Sequence, residues 1–207
     1  MLQQCFPPGE KPSSLRCPKI CPKKNLKNSS TIELTASICR KISLKIKDLS
    51  IANIILVITA TLTGLVAGLF YAWSCSVMLG FARLKDREFV SVMQKTNRAI
   101  LNPVFFISFL GAPVLLPIST FLSFGNSTRF ALLLAATIIY LTGTFGVTVF
   151  GNVPLNNTLD RFELETATEE AITRQRANFE RRWNNLNTIR TVTSTLALIL
   201  IIIACLN

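Results

Sequence analysis

The chain has 207 residues and a formal net charge of +11; half of its residues are hydrophobic and only 16% are charged. Its mean hydropathy is +0.45. The charged residues stand in blocks separated by long uncharged runs, a distribution that excludes an ordinary soluble domain and indicates a membrane protein.

Residues 1–48 form a polar, basic segment with ten Lys or Arg against three Asp or Glu. We interpret it as an N-terminal extension: a disordered tail near anionic headgroups, a targeting sequence, or an upstream start that is not used. It contains Cys5, Cys17, Cys21 and Cys39. Because Cys17 and Cys21 have no second matched pair, we do not expect a zinc site there.

Residues 49–207 are predicted to form a four-span membrane domain. Three uncharged gaps exceed the roughly 20 residues that a helix needs to cross the hydrocarbon core, and the run after Arg190 nearly reaches that length. The predicted spans are about 50–79, 102–124, 130–152 and 188–206.

Every fourth residue of the first span is small, which predicts a face where another helix approaches closely. This stripe consists of Ala60, Gly64, Gly68, Ala72, Ser76 and Gly80. In the second span, Asn102 suits an N-cap and Pro103 the first helical position, whereas Pro113 and Pro117 predict kinks.

The third span carries a polar stripe on one predicted helix face. The stripe consists of Tyr140, Thr144, Thr148, Asn152 and Asn156. Pro154 is expected to break the helix at the end of this span. Within a membrane, irregular polar backbone persists only where it is buried in protein or lines a cavity. Two interpretations stay open, because these groups could bond to other helices or could line a substrate site.

The charged segment 157–190 is predicted to contain an amphipathic juxtamembrane helix before the fourth span. Thr166 and Glu169 have the spacing of a capping box at its start. The apolar stripe consists of Ile172, Phe179, Trp183, Leu186 and Ile189. Packing on the bundle or on the headgroup layer accounts for this stripe better than a catalytic role. The predicted fold class is therefore all-α, a four-helix transmembrane bundle.

The chain direction brings four helix ends to one membrane face, which we call the motif face. It receives the end of the first span, the start of the second, the end of the third and the start of the fourth. The candidate catalytic residues there are Arg190, Asn152 and Asn156. The candidate substrate-binding residues are Trp73, Ser74, Asn97, Arg98, Asn102, Asn187 and Thr191.

Arg190 is the most informative of these residues because the predicted spans contain no Asp or Glu to pair with it. Several partners are open: Asp160 or Glu180 from the loops, the asparagine carbonyl oxygens, a lipid phosphate, or an anionic or phenolic substrate. Snorkelling to the headgroups is the simplest alternative.

Motifs at the motif face resemble those of the anthrone-oxygenase-like membrane family. They read GLFYAWSCSVM at 68–78, NRAILNP at 97–103, NVPLN at 152–156, WN at 183–184 and TIRT at 188–191. The resemblance covers residues 64–206, and it implies a compact four-helix membrane bundle and, as in fungal relatives, oxygenation of an anthrone to an anthraquinone.

This chain departs from that family at two motifs. Many relatives carry a proline where Leu79 stands, and a histidine where Asn187 and Thr188 stand; this chain has no histidine at all. Without histidine, and with no carboxylate pair in the spans, we expect neither haem, non-haem iron, copper nor a di-iron centre, and no nucleotide or flavin motif occurs. An oxygenase here would use no metal or flavin, because an electron-rich phenolic carbanion can react with oxygen itself.

The expected partners are the lipid bilayer and a flat lipophilic phenol, anthrone or quinone, with no nucleic acid. The rival function class is a non-catalytic scaffold, permeability or stress-response protein whose polar motifs only lock the bundle together. We expect a multi-pass protein of a bacterial-type plasma membrane, with the motif face in the cytoplasm because its loops carry basic residues close to the spans. The basic residues of 1–48, on the opposite side of the membrane, favour the reverse orientation.

Overall fold

The computed structural model describes residues 50–207, and the predicted N-terminal extension with its cysteines lies outside them. In the described part five helices follow one another without a strand, and four of them are long and apolar enough to span a membrane. The helices are α1 (Ile51–Phe81), α2 (Asp86–Ala99), α3 (Pro103–Leu122), α4 (Ser127–Asp160) and α5 (Glu169–Leu206). The predicted all-α bundle of four spans is confirmed, and the amphipathic juxtamembrane helix runs unbroken into the fourth span as α5.

Side-chain caps define the starts of three helices. Asn102 Oδ1 accepts a hydrogen bond from the Phe105 amide (3.0 Å) as predicted, and Asn126 Oδ1 does the same for Arg129 (3.1 Å). At α5 the cap is Thr168, whose hydroxyl accepts from the Ala171 amide. The prediction that Thr166 caps this helix is wrong, because Glu169 is already its first residue.

The expected break at Pro154 is absent. Instead α4 passes through two π-helical stretches, Tyr140–Gly146 and Thr148–Asn152, and continues as the α-helix Val153–Asp160. Pro154 is the second residue of that last stretch and directly follows the π-helical turn, which widens the helix. The third span is therefore part of a longer helix than predicted.

Two hydrophobic clusters hold the helices together. The first lies between the spans and includes Leu56, Phe109, Leu133, Tyr140 and Ile201. The second lies at the motif face and includes Trp73, Phe89, Met93, Phe179 and Trp183. Helix α2, which the sequence patterns did not predict, contributes its buried face to the second cluster.

The predicted small-residue stripe of α1 is not the close-packing face over its whole length. A Cβ atom added to Gly68 or Gly80 would meet no atom within 4 Å. Tighter approaches lie between α4 and α5, where a Cβ atom on Gly143 would clash with Thr193 Cγ2 and one on Gly151 would come within 3.0 Å of Leu186 Cδ1. Another lies between α1 and α3, where a Cβ atom on Gly111 would come within 2.6 Å of Leu62 Cδ1.

Candidate functional site

Helices α1 and α5 meet at the motif face through a chain of polar contacts. Asn187 Nδ2 donates to the carbonyl oxygen of Phe70 (3.2 Å) and to Ser74 Oγ (2.8 Å). The hydroxyls of Ser74 and Thr191 share a hydrogen bond of 3.0 Å. The structure thus brings three predicted substrate-binding residues, Ser74, Asn187 and Thr191, into one network.

Arg190 is directed into this network and does not snorkel to the headgroups, since its residue is only 5% exposed. Its Nη2 donates to Asn187 Oδ1 over 2.8 Å. The guanidinium carbon lies 4.2 Å from the centre of the Phe70 ring and 5.3 Å from that of Trp183. Two aromatic faces and one amide oxygen therefore surround the cation.

No carboxylate among residues 50–207 forms an ion pair with Arg190. The two acids considered from the sequence are engaged elsewhere, since Asp160 pairs with Arg98 (2.6 Å) and Glu180 with Arg176 (2.8 Å). Nε of Arg190 is buried without a hydrogen-bond partner in the described part of the chain. A buried cation that lacks a counter-ion and keeps a free donor is suited to hold an anionic oxygen atom.

Asn152 and Asn156 have different surroundings. Asn152 is fully buried, and neither polar atom of its amide finds a partner within residues 50–207. Asn156 Oδ1 accepts a hydrogen bond from the indole Nε1 of Trp183 (2.9 Å) and so fixes the ring that faces Arg190. Asn156 therefore acts through Trp183, whereas the Asn152 amide has its full hydrogen-bonding capacity left.

Aromatic side chains form the outer wall of the site. The rings of Trp73 and Trp183 lie 5.1 Å apart, and Phe81 lies 5.9 Å from Trp73. Trp73 and Trp183 are the only two tryptophans of the chain, so its tryptophan fluorescence comes entirely from this site.

The other three predicted substrate-binding residues have contacts of their own. Arg98 is exposed and pairs with Asp160, and Asn102 caps α3. Asn97 is half-buried, and its Nδ2 has no partner in the part of the chain that the structure describes. The ion pair and the cap give Arg98 and Asn102 structural contacts, and their predicted role in substrate binding stays a prediction.

The sequence interpretation missed Phe70, the residue closest over the guanidinium. Phe70 precedes Ser74 by four residues, so the two share a helix face. This spacing could have placed Phe70 in the site from the sequence alone. The hydroxyl of Thr63 was also missed. Like the hydroxyl of Tyr140, which belongs to the predicted polar stripe, it is buried without a partner among residues 50–207. No side chain in that range groups with others into a cluster of three or more metal-binding residues.

Two surface cavities occur at the motif face, of about 560 and 440 Å³. The larger lies between α4 and α5, with Pro154, Leu155 and Leu186 in its lining. Arg190, Asn152 and Asn156 line neither of these cavities. Since Arg190, Asn152 and Asn187 are each at most 5% exposed, the polar cluster is closed in this conformation, and a ligand would reach it only if helices or side chains moved apart.

Four membrane-spanning helices around a buried polar cluster define an integral multi-pass membrane protein. Residues 89–200, more than half of the chain, match the family described as anthrone oxygenase, so the chain belongs to the anthrone oxygenase family. The matched range contains the motifs at 97–103, 152–156 and 183–191, whereas the motif at 68–78 precedes it. No curated protein and no solved structure matches the chain.

Proposed function

We propose that this membrane protein binds a flat lipophilic phenol, anthrone or quinone beside Arg190 and oxygenates an anthrone to an anthraquinone without metal or flavin. Family membership supports the reaction class. One observation supports Arg190 as the residue that binds the substrate. Its guanidinium is buried, has no counter-ion within residues 50–207 and keeps a free Nε donor there.

The proposed reaction needs stabilisation of one anion. An anthrone that loses a proton from its methylene carbon becomes an enolate, whose negative charge lies largely on oxygen. Nε of Arg190 would donate to that oxygen, and in a water-poor interior such a preorganised charge is far more effective than in water. The carbanion form adds to dioxygen through a new C–O bond. The remaining hydrogen of that carbon then passes as a proton to the outer peroxide oxygen while the O–O bond breaks, which leaves the new carbonyl group and hydroxide. The hydroxide combines with the first proton to give water.

Phe70, Trp183 and Asn152 would position the substrate in this proposal. A flat aromatic ring stacks favourably against aromatic side chains, and both rings already border the guanidinium. The amide of Asn152 can donate to or accept from a second substrate oxygen, since neither of its polar atoms is used within the described residues.

Anthraquinone formation and oxygen uptake by the purified full-length protein test the proposed activity. We expect Arg190→Met to lower the rate by about 10²–10³-fold, the usual loss when one donor to a developing oxyanion is removed. Arg174→Met is the matched control, because Arg174 lies exposed on the same helix, takes part in none of the ion pairs among residues 50–207 and should keep the wild-type rate. An unchanged rate in Arg190→Met would refute the proposed role.

A non-catalytic scaffold is the second candidate, and the closed packing favours it. Ser74, Asn187 and Thr191 bond to one another, and neither cavity at this face includes Arg190 in its lining. Titration of an anthrone while the tryptophan fluorescence is followed separates the two candidates. Saturable quenching that Arg190→Met weakens supports the oxygenase, and no saturable quenching supports the scaffold.

We also propose a bacterial-type plasma membrane with the motif face in the cytoplasm. The segment around α2 supports this orientation, with Arg83, Lys85, Arg87, Lys95 and Arg98 against Asp86 and Glu88. Labelling of Cys205 by an impermeant thiol reagent in intact cells tests it, because Cys205 is exposed at the opposite end of α5. If the reagent labels Cys205 only after the cells are lysed, the motif face lies outside the cytoplasm and the proposed orientation is wrong.

A further inference from the structure

The larger cavity at the motif face is a groove between α4 and α5, which we call the α4–α5 groove. It has a volume of about 560 Å³, within the range of ligand sites. Its lining is amphipathic. Phe150, Leu155 and Leu186 supply an apolar wall, and Arg182 and Asn185 supply a polar one.

The groove crosses the boundary between hydrocarbon and headgroups. Leu186 lies twenty residues before Leu206, the last residue of α5, and at about 1.5 Å per residue this distance equals the hydrocarbon thickness of roughly 30 Å. Arg182 lies one helical turn further out, about 6 Å beyond, in the headgroup layer. The apolar wall therefore faces acyl chains and the polar wall faces headgroups.

Arg182 is free to bind an anion. It is exposed, and it takes part in none of the ion pairs among residues 50–207, whereas Arg176 on the same helix is paired twice. A planar guanidinium can donate two parallel hydrogen bonds to a phosphate, and the Asn185 amide is a further donor in the same lining.

We propose that the α4–α5 groove binds an anionic membrane phospholipid, with its phosphate at Arg182 and Asn185 and one acyl chain along Phe150, Leu155 and Leu186. The apolar wall opens towards the bilayer, which favours a lipid over free phosphate. The Arg182 guanidinium favours an anionic headgroup over choline, whose positive charge it repels.

Native mass spectrometry of the full-length protein in neutral detergent tests this site, with phosphatidylglycerol and phosphatidylcholine added in equal amounts. We expect one phosphatidylglycerol per chain to be retained at least tenfold more than phosphatidylcholine. Arg182→Gln should reduce this preference about tenfold. Arg181→Gln, which removes the same charge one residue away and outside the groove lining, should change it less than twofold.

Two further measurements distinguish the contribution of the phosphate to lipid binding from that of the acyl chain. Phe150→Ser should weaken the retention of both lipids, because Phe150 forms part of the apolar wall. Inorganic phosphate at the same concentration should not displace the lipid. The proposal is overturned if the two lipids are retained equally, if Arg181→Gln and Arg182→Gln weaken retention equally, if Phe150→Ser has no effect, or if inorganic phosphate displaces the lipid.

Discussion

Two arginines of the same helix, Arg176 and Arg190, are held in opposite ways. Arg176 donates to Asp86, to Glu180 and to the carbonyl oxygens of Leu84 and Ala82. Arg190 donates through one nitrogen to Asn187, and no carboxylate among residues 50–207 pairs with it.

The difference separates an arginine that holds the fold from one that is available to a ligand. Every nitrogen of the Arg176 guanidinium has an acceptor, so this residue fastens the loop before α2 to α5. At Arg190 no counter-ion within residues 50–207 offsets the burial of the charge, and natural proteins keep such a charge mainly where function needs it.

The largest expected effect on stability comes from replacing each arginine with methionine. Arg176→Met should lower the free energy of unfolding by about 3 kcal/mol, because it leaves Asp86, Glu180 and two carbonyl oxygens without their donor. Arg190→Met should leave that free energy unchanged or raise it, because it removes a buried charge without a counter-ion. Denaturation in detergent, followed by tryptophan fluorescence, measures both, and equal destabilisation would contradict the distinction.

The two buried asparagines offer a similar contrast of somewhat smaller size. Asn187→Leu should cost about 2 kcal/mol, because Arg190 loses its acceptor and Ser74 loses a donor. Asn152→Leu should cost nothing or stabilise the protein, since its amide has no partner among the described residues, but it should weaken anthrone binding. If Asn152→Leu instead destabilises the protein as much as Asn187→Leu, the Asn152 amide has a structural role.

The smallest expected effect is a change in how stability depends on pH, through Asp86, the carboxylate that pairs with Arg176. The Thr173 hydroxyl, which donates to Asp86, lowers the pKa of that carboxyl, and Arg176 lowers it further. A carboxyl whose folded pKa is depressed stabilises the protein above its unfolded pKa of about 4, and this contribution is lost as the pH falls through the folded value.

Thr173→Val should therefore flatten the fall of the melting temperature below about pH 4, where the folded and unfolded forms of Asp86 differ in protonation. Thr188→Val is a suitable control on the same helix, because among residues 50–207 the Thr188 hydroxyl bonds only to the backbone carbonyl of Asn184. If the melting temperature depends on pH in the same way in wild type and Thr173→Val, the hydrogen bond from Thr173 to Asp86 does not have the proposed effect.

The sequence patterns predicted the architecture well because hydrophobic length and helix caps are local properties. The stripe of α4 is buried from Tyr140 to Asn152 as expected, and Asn102 caps α3. The π-helical stretches before Pro154 could not be predicted, since a widened turn depends on how α4 packs against its neighbours.

The candidate site was only partly predictable for the same reason. A helix face can be inferred from spacing, which explains why Ser74, Asn187 and Thr191 were grouped correctly with Arg190. Which acid pairs with which arginine depends on how loops fold over helix ends, so the ion pair of Arg98 with Asp160 could not be foreseen.

The central claim, that Arg190 holds an anionic oxygen atom, is tested most directly by the ionisation of a bound phenol. A hydroxylated anthrone whose absorbance shifts on ionisation is titrated with alkali when bound to the wild-type protein, to Arg190→Met and to Arg176→Met. A buried cation favours the ionised form, so wild type and Arg176→Met should move the ionisation midpoint at least one pH unit below the free phenol. The ionisation midpoint of the phenol bound to Arg190→Met should not lie below that of the free phenol. The same midpoint in wild type and in Arg190→Met would contradict the account.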